Sequence, residues 1–327
     1  MQATSPNGSE SPAENDCSTR PEPPTGPRRL AMLTDTTPHS RRLVPLAAIR
    51  PLVRLRAERL VRSDPEFLRR AFEQMRYLVE REPALDPIGL ARRHVHEILK
   101  RDELRWRPWL TTRMHVRGFE LIDALQSSGR GIVLSFLHHG QYGGVAPSIG
   151  RGGLAIETAV ADWILTEDDP GRQGREVRNH VATVSAADEV TTFGARGSYP
   201  AMLETVRAGG IVLIASDQPG STPMRILGRE VLAGSGAARL ALESGCPVVP
   251  VSAHSRGWRQ ELHVEKPVEP GEFDSITSIQ REIGRRHEPA IRAWPEGYQS
   301  PLDRWTPADA ADAEEFGFGP PRPRERP

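Results

Sequence analysis

Lysine, cysteine and aromatic residues are all scarce in this chain of 327 residues. Lysine occurs only as Lys100 and Lys266, so nearly all basic charge is arginine, a skew that follows coding composition rather than a designed anion surface. Cysteine occurs only as Cys17 and Cys246, too few for a disulfide framework or a thiolate metal cluster, and a reducing cytosol is the expected compartment. No run of eighteen apolar residues exists, and the first thirty positions are polar and proline-rich, without the apolar stretch of a secretory signal. The chain is therefore expected neither to span a membrane nor to be exported. An excess of charge of one sign is missing too: 43 basic groups face 43 acidic ones, which leaves no strongly basic field for nucleic acid.

Familiar catalytic signatures are also lacking. No GxxxxGK[ST] or GxGxxG follows an apolar run, so neither a nucleotide nor a dinucleotide cofactor is expected. There is no GxSxG, and Gly234-Ser235-Gly236 is a turn between segments rather than a strand-to-helix elbow. Adjacent histidines without HxH or HExxH spacing give little ground for a metal, and none is expected.

What remains is a soluble composition, with 37% apolar and 26% charged residues, and clear punctuation. Of 30 prolines, seven fall in residues 1–40 and six in 301–327, so residues 1–40 and 306–327 are expected to be disordered tails. Residues 41–62 interleave Leu43, Val44, Leu46, Ile49, Leu52, Val53 and Leu55 with seven arginines. A helix lying on an anionic membrane has this pattern, and so does a core-packed helix with a solvated face; Pro45 and Pro51 are expected to interrupt it. From Asp64 the spacing of Phe67, Ala71, Met75 and Leu78 predicts helix, with Asp64-Pro65 as its start, and further helices over 87–100 and 119–125 complete a helical layer over 41–125.

Beyond it, over 126–305, short apolar runs alternate with helical patterns. The runs are Gly131–Leu137, Leu154–Ala161, Gly210–Ser216 and Pro247–Ala253; the helix candidates are 175–186, 198–208 and 236–244. This alternation predicts an α/β fold, a largely parallel central sheet covered by helices, with the N-terminal helical layer beside it. Ligands of such sheets bind outside the carboxyl ends of the strands. The residues there are His138, His139 and Gln141 after the first run, Asp162 after the second, Asp217 and Gln218 after the third, and His254 after the fourth. A histidine so placed suits a general base, since its pKa lies near working pH; a structural histidine bound to a loop is the alternative.

Several segments together resemble one family. Val116–Gly144 (VRGFELIDALQSSGRGIVLSFLHHGQYGG), Val206–Gly220 (VRAGGIVLIASDQPG), Arg225–Ala253 and the tryptophan-rich EPAIRAWPEGYQSPLDRW at 288–305 resemble, in consistent order from about residue 62 to 305, the bacterial late acyltransferases of lipid A synthesis and the phosphatidylinositol mannoside acyltransferases. The resemblance implies an acyltransferase of the lysophospholipid acyltransferase-like superfamily. It would move an acyl group from acyl carrier protein or acyl-coenzyme A to a lipid, glycolipid or small-molecule acceptor, in the cytoplasm or peripherally on the membrane through residues 41–62. His138 takes the place of the family's histidine, Asp217 matches an acid of the family, and Asp162 falls where related enzymes place acidic side chains. His139, Gln141 and Gln218 join them as catalytic or substrate-binding candidates, and Arg225 and Arg229 as phosphate-binding ones.

One departure matters. Five residues after its histidine the family carries an acid, and this chain has Gly143. Three readings follow: Asp162 or Asp217 orients His138 instead; His139 shares the proton work; or the protein binds a lipid or thioester without transfer. An amine acceptor needs less activation than a hydroxyl, which keeps N-acylation beside O-acylation, and transfer to water would make a hydrolase.

Overall fold

A computed structural model describes residues 44–166 and 180–318. The expected tails over 1–40 and beyond 318, and residues 175–179 of one helix candidate, lie outside the described residues. All described residues belong to one compact unit.

Three helices come first: α1 (Leu46–Ser63), α2 (Pro65–Val79) and α3 (Pro87–Leu104), then the short turn α4 (Pro108–Thr111). α2 begins as its sequence indicates, with the Asp64 carboxylate accepting from the Phe67 N–H at 2.9 Å and Pro65 in the first turn. Asp86 caps α3 in the same way. α1 departs from expectation, since Pro45 stands at its start and the helix runs on through Pro51. Pro51 removes one N–H near the helix start, but Ile49, Val53 and Ala57, four residues apart, are buried in one apolar cluster with Ala91, Val95 and Leu99 of α3. Burial of that stripe outweighs one lost hydrogen bond.

The sheet and its helices follow in the order β1 (His115–Arg117), α5 (Phe119–Ser127), β2 (Ile132–Phe136), α6 (Val145–Gly150), β3 (Ile156–Val160), α7 (Asp162–Thr166), β4 (Val190–Gly194), α8 (Tyr199–Arg207) and β5 (Ile211–Ala215). After these come β6 (Pro219–Ile226), β7 (Arg229–Ala233), α9 (Gly236–Ser244), β8 (Val248–Arg256), β9 (Arg259–Val264), α10 (Ile276–Ala293), α11 (Pro301–Arg304), β10 (Thr306–Pro307) and α12 (Ala310–Glu315). Seven strands form one sheet in the order β1-β9-β8-β2-β5-β3-β4, parallel throughout except for the β8-β9 hairpin. The four apolar runs are β2, β3, β5 and β8, so the parallel α/β expectation holds. The helical layer is shorter than expected, ending at Thr111, because β1 pairs with β9 and brings α5 into the sheet's own core.

Register sets up the site. β2 and β5 pair in parallel with Phe136 opposite Ala215, so His138 and Asp217 each lie two residues past the end of neighbouring strands. Apolar clusters lie on both faces, one including Ile122 and Ile149, the other Val206, Leu240, Ile279 and Ile283.

The expectation of a loose end from residue 306 is overturned for 306–318. β10 pairs with β7 in a second, three-stranded sheet with β6, and Trp305 is buried, its carbonyl accepting from the Tyr77 hydroxyl at 2.8 Å. Arg229 is buried as well, and its guanidinium donates to Asp312 of α12 at 2.7 Å and to Glu80 at 2.6 Å. Proline content misleads here because these residues dock through an aromatic and ionic clasp rather than through an apolar run of their own. Among the described residues no helix is long and apolar enough to cross a membrane.

Several buried imidazoles must stay neutral. Burial lowers the pKa of His94 and His139 to about 4 and of His287 to about 3. Their folded values lie below the ordinary 6.5, so the stability they contribute is full above about pH 6.5 and is lost as pH falls towards 4, where the unfolded chain takes up the protons first. Urea unfolding should therefore show a loss of at most about 2 kcal/mol for each of the three between pH 7 and pH 5. A flat profile over that range would show that these rings are not buried neutral.

Candidate active site

Because β2 and β5 end side by side, the two loops that follow them cross at one point. The Asp217 carboxylate is fully buried there and accepts three hydrogen bonds. His138 donates twice, from its backbone N–H and from ring Nδ1, each at 2.7 Å, and the buried Tyr298 hydroxyl makes a short third bond to Oδ2. Burial alone would raise the Asp217 pKa. The electrostatic pull and hydrogen bond of His138, the Arg304 guanidinium and the Tyr298 hydroxyl outweigh burial and hold the carboxyl below the usual carboxylate range. Tyr298 moves the other way, raised well above the ordinary tyrosine value by burial and by Asp217, so its proton stays on oxygen.

An ionised carboxylate only accepts, so Nδ1 of His138 carries a proton, and in the neutral ring Nε2 keeps its lone pair. The Gln218 amide nitrogen lies 3.4 Å from that Nε2, a long contact in which the amide is the donor. His138 is packed edge-on against Tyr142, with ring centres 4.4 Å apart.

His138 and Gln218 both line a cavity of about 220 Å³ whose wall mixes apolar side chains, among them Phe136, Ala146, Val160, Ile164 and Leu213, with Thr158, His180 and Arg304. A second cavity of about 250 Å³ adjoins it, lined by Arg101, Arg105, Gln141 and Gln299. Tyr142, Gly143, Trp163, Ile164 and His180 line both.

The structure thus brings together His138, Asp217 and Gln218, sets Gln141 in the adjoining cavity, and separates the rest. His139 points away: its Nε2 donates to the Trp294 carbonyl at 2.7 Å and its ring packs on Trp294 and Tyr298. With a pKa of about 4 imposed by burial, and no share in either cavity, it does not work beside His138. Asp162 opens α7 and faces the loop after β4, accepting from the Arg196 N–H at 3.4 Å, so that its neighbours Trp163 and Ile164 reach the cavities instead. Arg225 is exposed on β6 and Arg229 is consumed by Asp312 and Glu80; neither lines a cavity. His254 stacks on His263 at 3.8 Å, outside both cavities.

Sequence reasoning missed Tyr298, Tyr142, His180, Trp163, Arg101 and Arg304. Tyr298 lay inside the tryptophan-rich segment at 288–305, which pointed to the site without saying which residue reaches it. Position 143 faces His180: a Cβ on Gly143 would stand 3.1 Å from Cε1 and 3.2 Å from Nδ1 of that imidazole. Burial first, and the charges of Arg105 and His138 after it, lower the His180 pKa to about 4, so a neutral ring occupies the space beside Gly143.

The arrangement is a carboxylate-oriented imidazole whose free nitrogen borders an apolar cavity, which suits proton transfer to and from a group brought in on an apolar chain. No protein-family model matches the chain, and no curated protein matches it.

Proposed function

We propose that the protein is an acyltransferase that moves an acyl group from a thioester, carried by acyl carrier protein or coenzyme A, to a hydroxyl or amine of a lipid or small-molecule acceptor. The observation that carries this reading is the Tyr298–Asp217–His138 chain ending at an Nε2 beside an apolar cavity. The resemblance of residues 62–305 to the lipid A and phosphatidylinositol mannoside acyltransferases supports the same reading.

In this mechanism the acyl chain lies in the apolar cavity with its thioester carbonyl at the His138 end. Nε2 of His138 takes the proton of the acceptor O–H or N–H while that atom attacks the carbonyl carbon. Asp217 stabilises the imidazolium that forms and keeps the ring in its Nδ1–H tautomer. The tetrahedral intermediate collapses, the C–S bond breaks, and the thiolate leaves with the proton returned by Nε2. Asp217 thus does what an acid at position 143 would do, and the loss at Gly143 does not remove the orienting carboxylate.

The α1 helix supplies a means of reaching lipid. Leu52 and Leu55 are 57% and 61% exposed among its arginines, the mixture expected of a helix on an anionic surface. Sedimentation with anionic vesicles should pull down the wild type and lose most of the Leu52→Glu/Leu55→Glu protein, whereas equal pelleting of the two would remove the membrane contact from the reading.

Free thiol released from a panel of acyl thioesters, with and without acceptors, tests the chemistry. His138→Ala should abolish acceptor-dependent release, and Asp217→Asn, which cannot hold the tautomer, should lower it by roughly 10³- to 10⁴-fold with the fold retained. Undiminished release in folded His138→Ala would sink the assignment. Binding of acyl chains without any release would turn the protein into a carrier. Release that ignores acceptors would make it a hydrolase.

Gly143→Glu places a long side chain against His180 and into the wall common to both cavities. A fall of about tenfold or more in thiol release is expected. A rise would mean that the inserted carboxylate improves on Asp217.

A further inference from the structure

Three of the four apolar runs carry a serine in their second half: Ser135 in β2, Ser216 just past β5 and Ser252 in β8. The three strands are neighbours in the sheet, in the order β8-β2-β5. All three serines are buried, and so are two polar residues on the inward stripe of α10, Gln280 and His287. The His287 ring joins the strands. Its Nδ1 lies 3.0 Å from the Ser252 hydroxyl and its Nε2 lies 3.3 Å from the Ser135 hydroxyl, which in turn lies 2.7 Å from the Ser216 hydroxyl. About two turns earlier on α10, the Gln280 amide nitrogen donates to the Ser216 carbonyl at 3.1 Å. None of these groups lines either cavity at the site, so the proton path does not use them.

Apolar side chains would fill this part of the core without the cost of burying an imidazole, an amide and three hydroxyls. A paired polar network offers in return a single arrangement, since each member is satisfied only where the others stand. A neutral imidazole has one donor and one acceptor, and hydroxyls serve as either, so the hydrogen bonds run in one direction from β8 through α10 to β2 and β5. Burial keeps the ring neutral, lowering its pKa to about 3 against the opposing pull of the Asp217 charge. The network also sits close to the site in sequence: Ser216 immediately precedes Asp217, and Ser135 stands three residues before His138. Residue 216 is thereby gripped twice from α10, at its carbonyl by Gln280 and at its hydroxyl through Ser135 and His287. A slip of β5 along β2 would carry Asp217 away from the His138 ring, and a misplacement of about 1 Å can cost on the order of 10²-fold in rate.

We propose that His287 is a positioning residue for the His138–Asp217 pair: by joining the hydroxyls of Ser252 and Ser135, and through Ser135 that of Ser216, it locks three strand ends in the register that brings the Asp217 carboxylate to Nδ1 of His138. That the pair transfers acyl groups rests on the acyl-transfer reading; the locking of the pair does not.

Proton NMR of the full chain reads the pair directly, through the low-field resonance of the His138 Nδ1 proton, assigned by its absence from His138→Ala. Thiol release gives kcat and KM beside it. His287→Phe keeps a ring and loses both nitrogens: the resonance should move upfield and broaden, and kcat should fall about tenfold or more with KM little changed. His287→Gln, which again offers a donor and an acceptor, should recover the resonance and most of kcat. Because His287→Phe leaves hydroxyls unpaired and can lose the fold, His287→Phe is also combined with Ser135→Ala, Ser216→Ala and Ser252→Ala, which leaves no hydroxyl to satisfy. That fourfold variant should regain thermal stability while the resonance stays displaced and kcat stays low. An unchanged resonance in folded His287→Phe, or its full return in the fourfold variant, overturns the proposal. A resonance that responds as expected in a protein that releases no thiol supports the positioning role and counts against acyl transfer alone.

Discussion

The buried carboxylate of Asp217 is the constraint on which the rest of the site depends. A charge this deep loses its hydration, a penalty of several kcal/mol that only close, well-aimed donors offset. Three donors from two other parts of the chain meet it: the His138 backbone, the His138 ring and the Tyr298 hydroxyl. Together they tie two separate segments to the end of β5. The loop after β2 is held from above, and the segment after α10 is held from the side, so that Gln299 N–H donates to the His138 carbonyl at 2.9 Å and the Gly297 carbonyl accepts from Gly140. The bond from Nδ1 to Asp217 fixes the His138 ring orientation.

The C-terminal segment becomes part of the site by the same logic. Tyr298 is held towards Asp217 by the rings packed on it, His139 at 5.9 Å and Trp305 at 4.6 Å between ring centres. Trp305 is in turn held by Tyr77 of α2, and the Arg229 guanidinium lies over the Tyr77 ring at 4.5 Å while paired with Glu80 and Asp312. A chain of contacts thus runs from α12 through Arg229, Tyr77, Trp305 and Tyr298 to the Asp217 carboxylate. Arg229 is tied to the site through packing, at a distance, and lines neither cavity.

How much of this was legible in sequence divides by the kind of signal. Strands buried on both faces are written as apolar runs, so β2, β3, β5 and β8 were visible, and parallel order placed His138, Asp217 and Gln218 on one edge. Helix starts were visible where Asp64 and Pro65 advertise a cap. Less was visible where tertiary context decides. Pro51 reads as a breaker, yet the Ile49, Val53 and Ala57 stripe keeps the helix whole; residues 306–318 read as a tail, yet ion pairs and aromatic packing hold them. Strand-end position also gave Asp162 and His139 the same standing as Asp217 and His138. Only side-chain direction separates them, and alternation along a loop is not encoded by any period.

Gly143 shows why a motif is less fundamental than the geometry it usually encodes. A carboxylate orients an imidazole base when it lies within about 2.8 Å of one ring nitrogen, coplanar enough to accept a hydrogen bond from its N–H. Nothing requires that carboxylate to come from the same loop. Neighbouring parallel strands lie about 4.8 Å apart, so a residue at the matching position past the next strand end is as close to the ring as one a turn further along the chain. Register makes Asp217 that residue: Phe136 stands opposite Ala215, and both chains run two residues on before turning. With the carboxylate supplied across strands, position 143 needs no charge and can be glycine, which in turn leaves room for the His180 ring that lines both cavities.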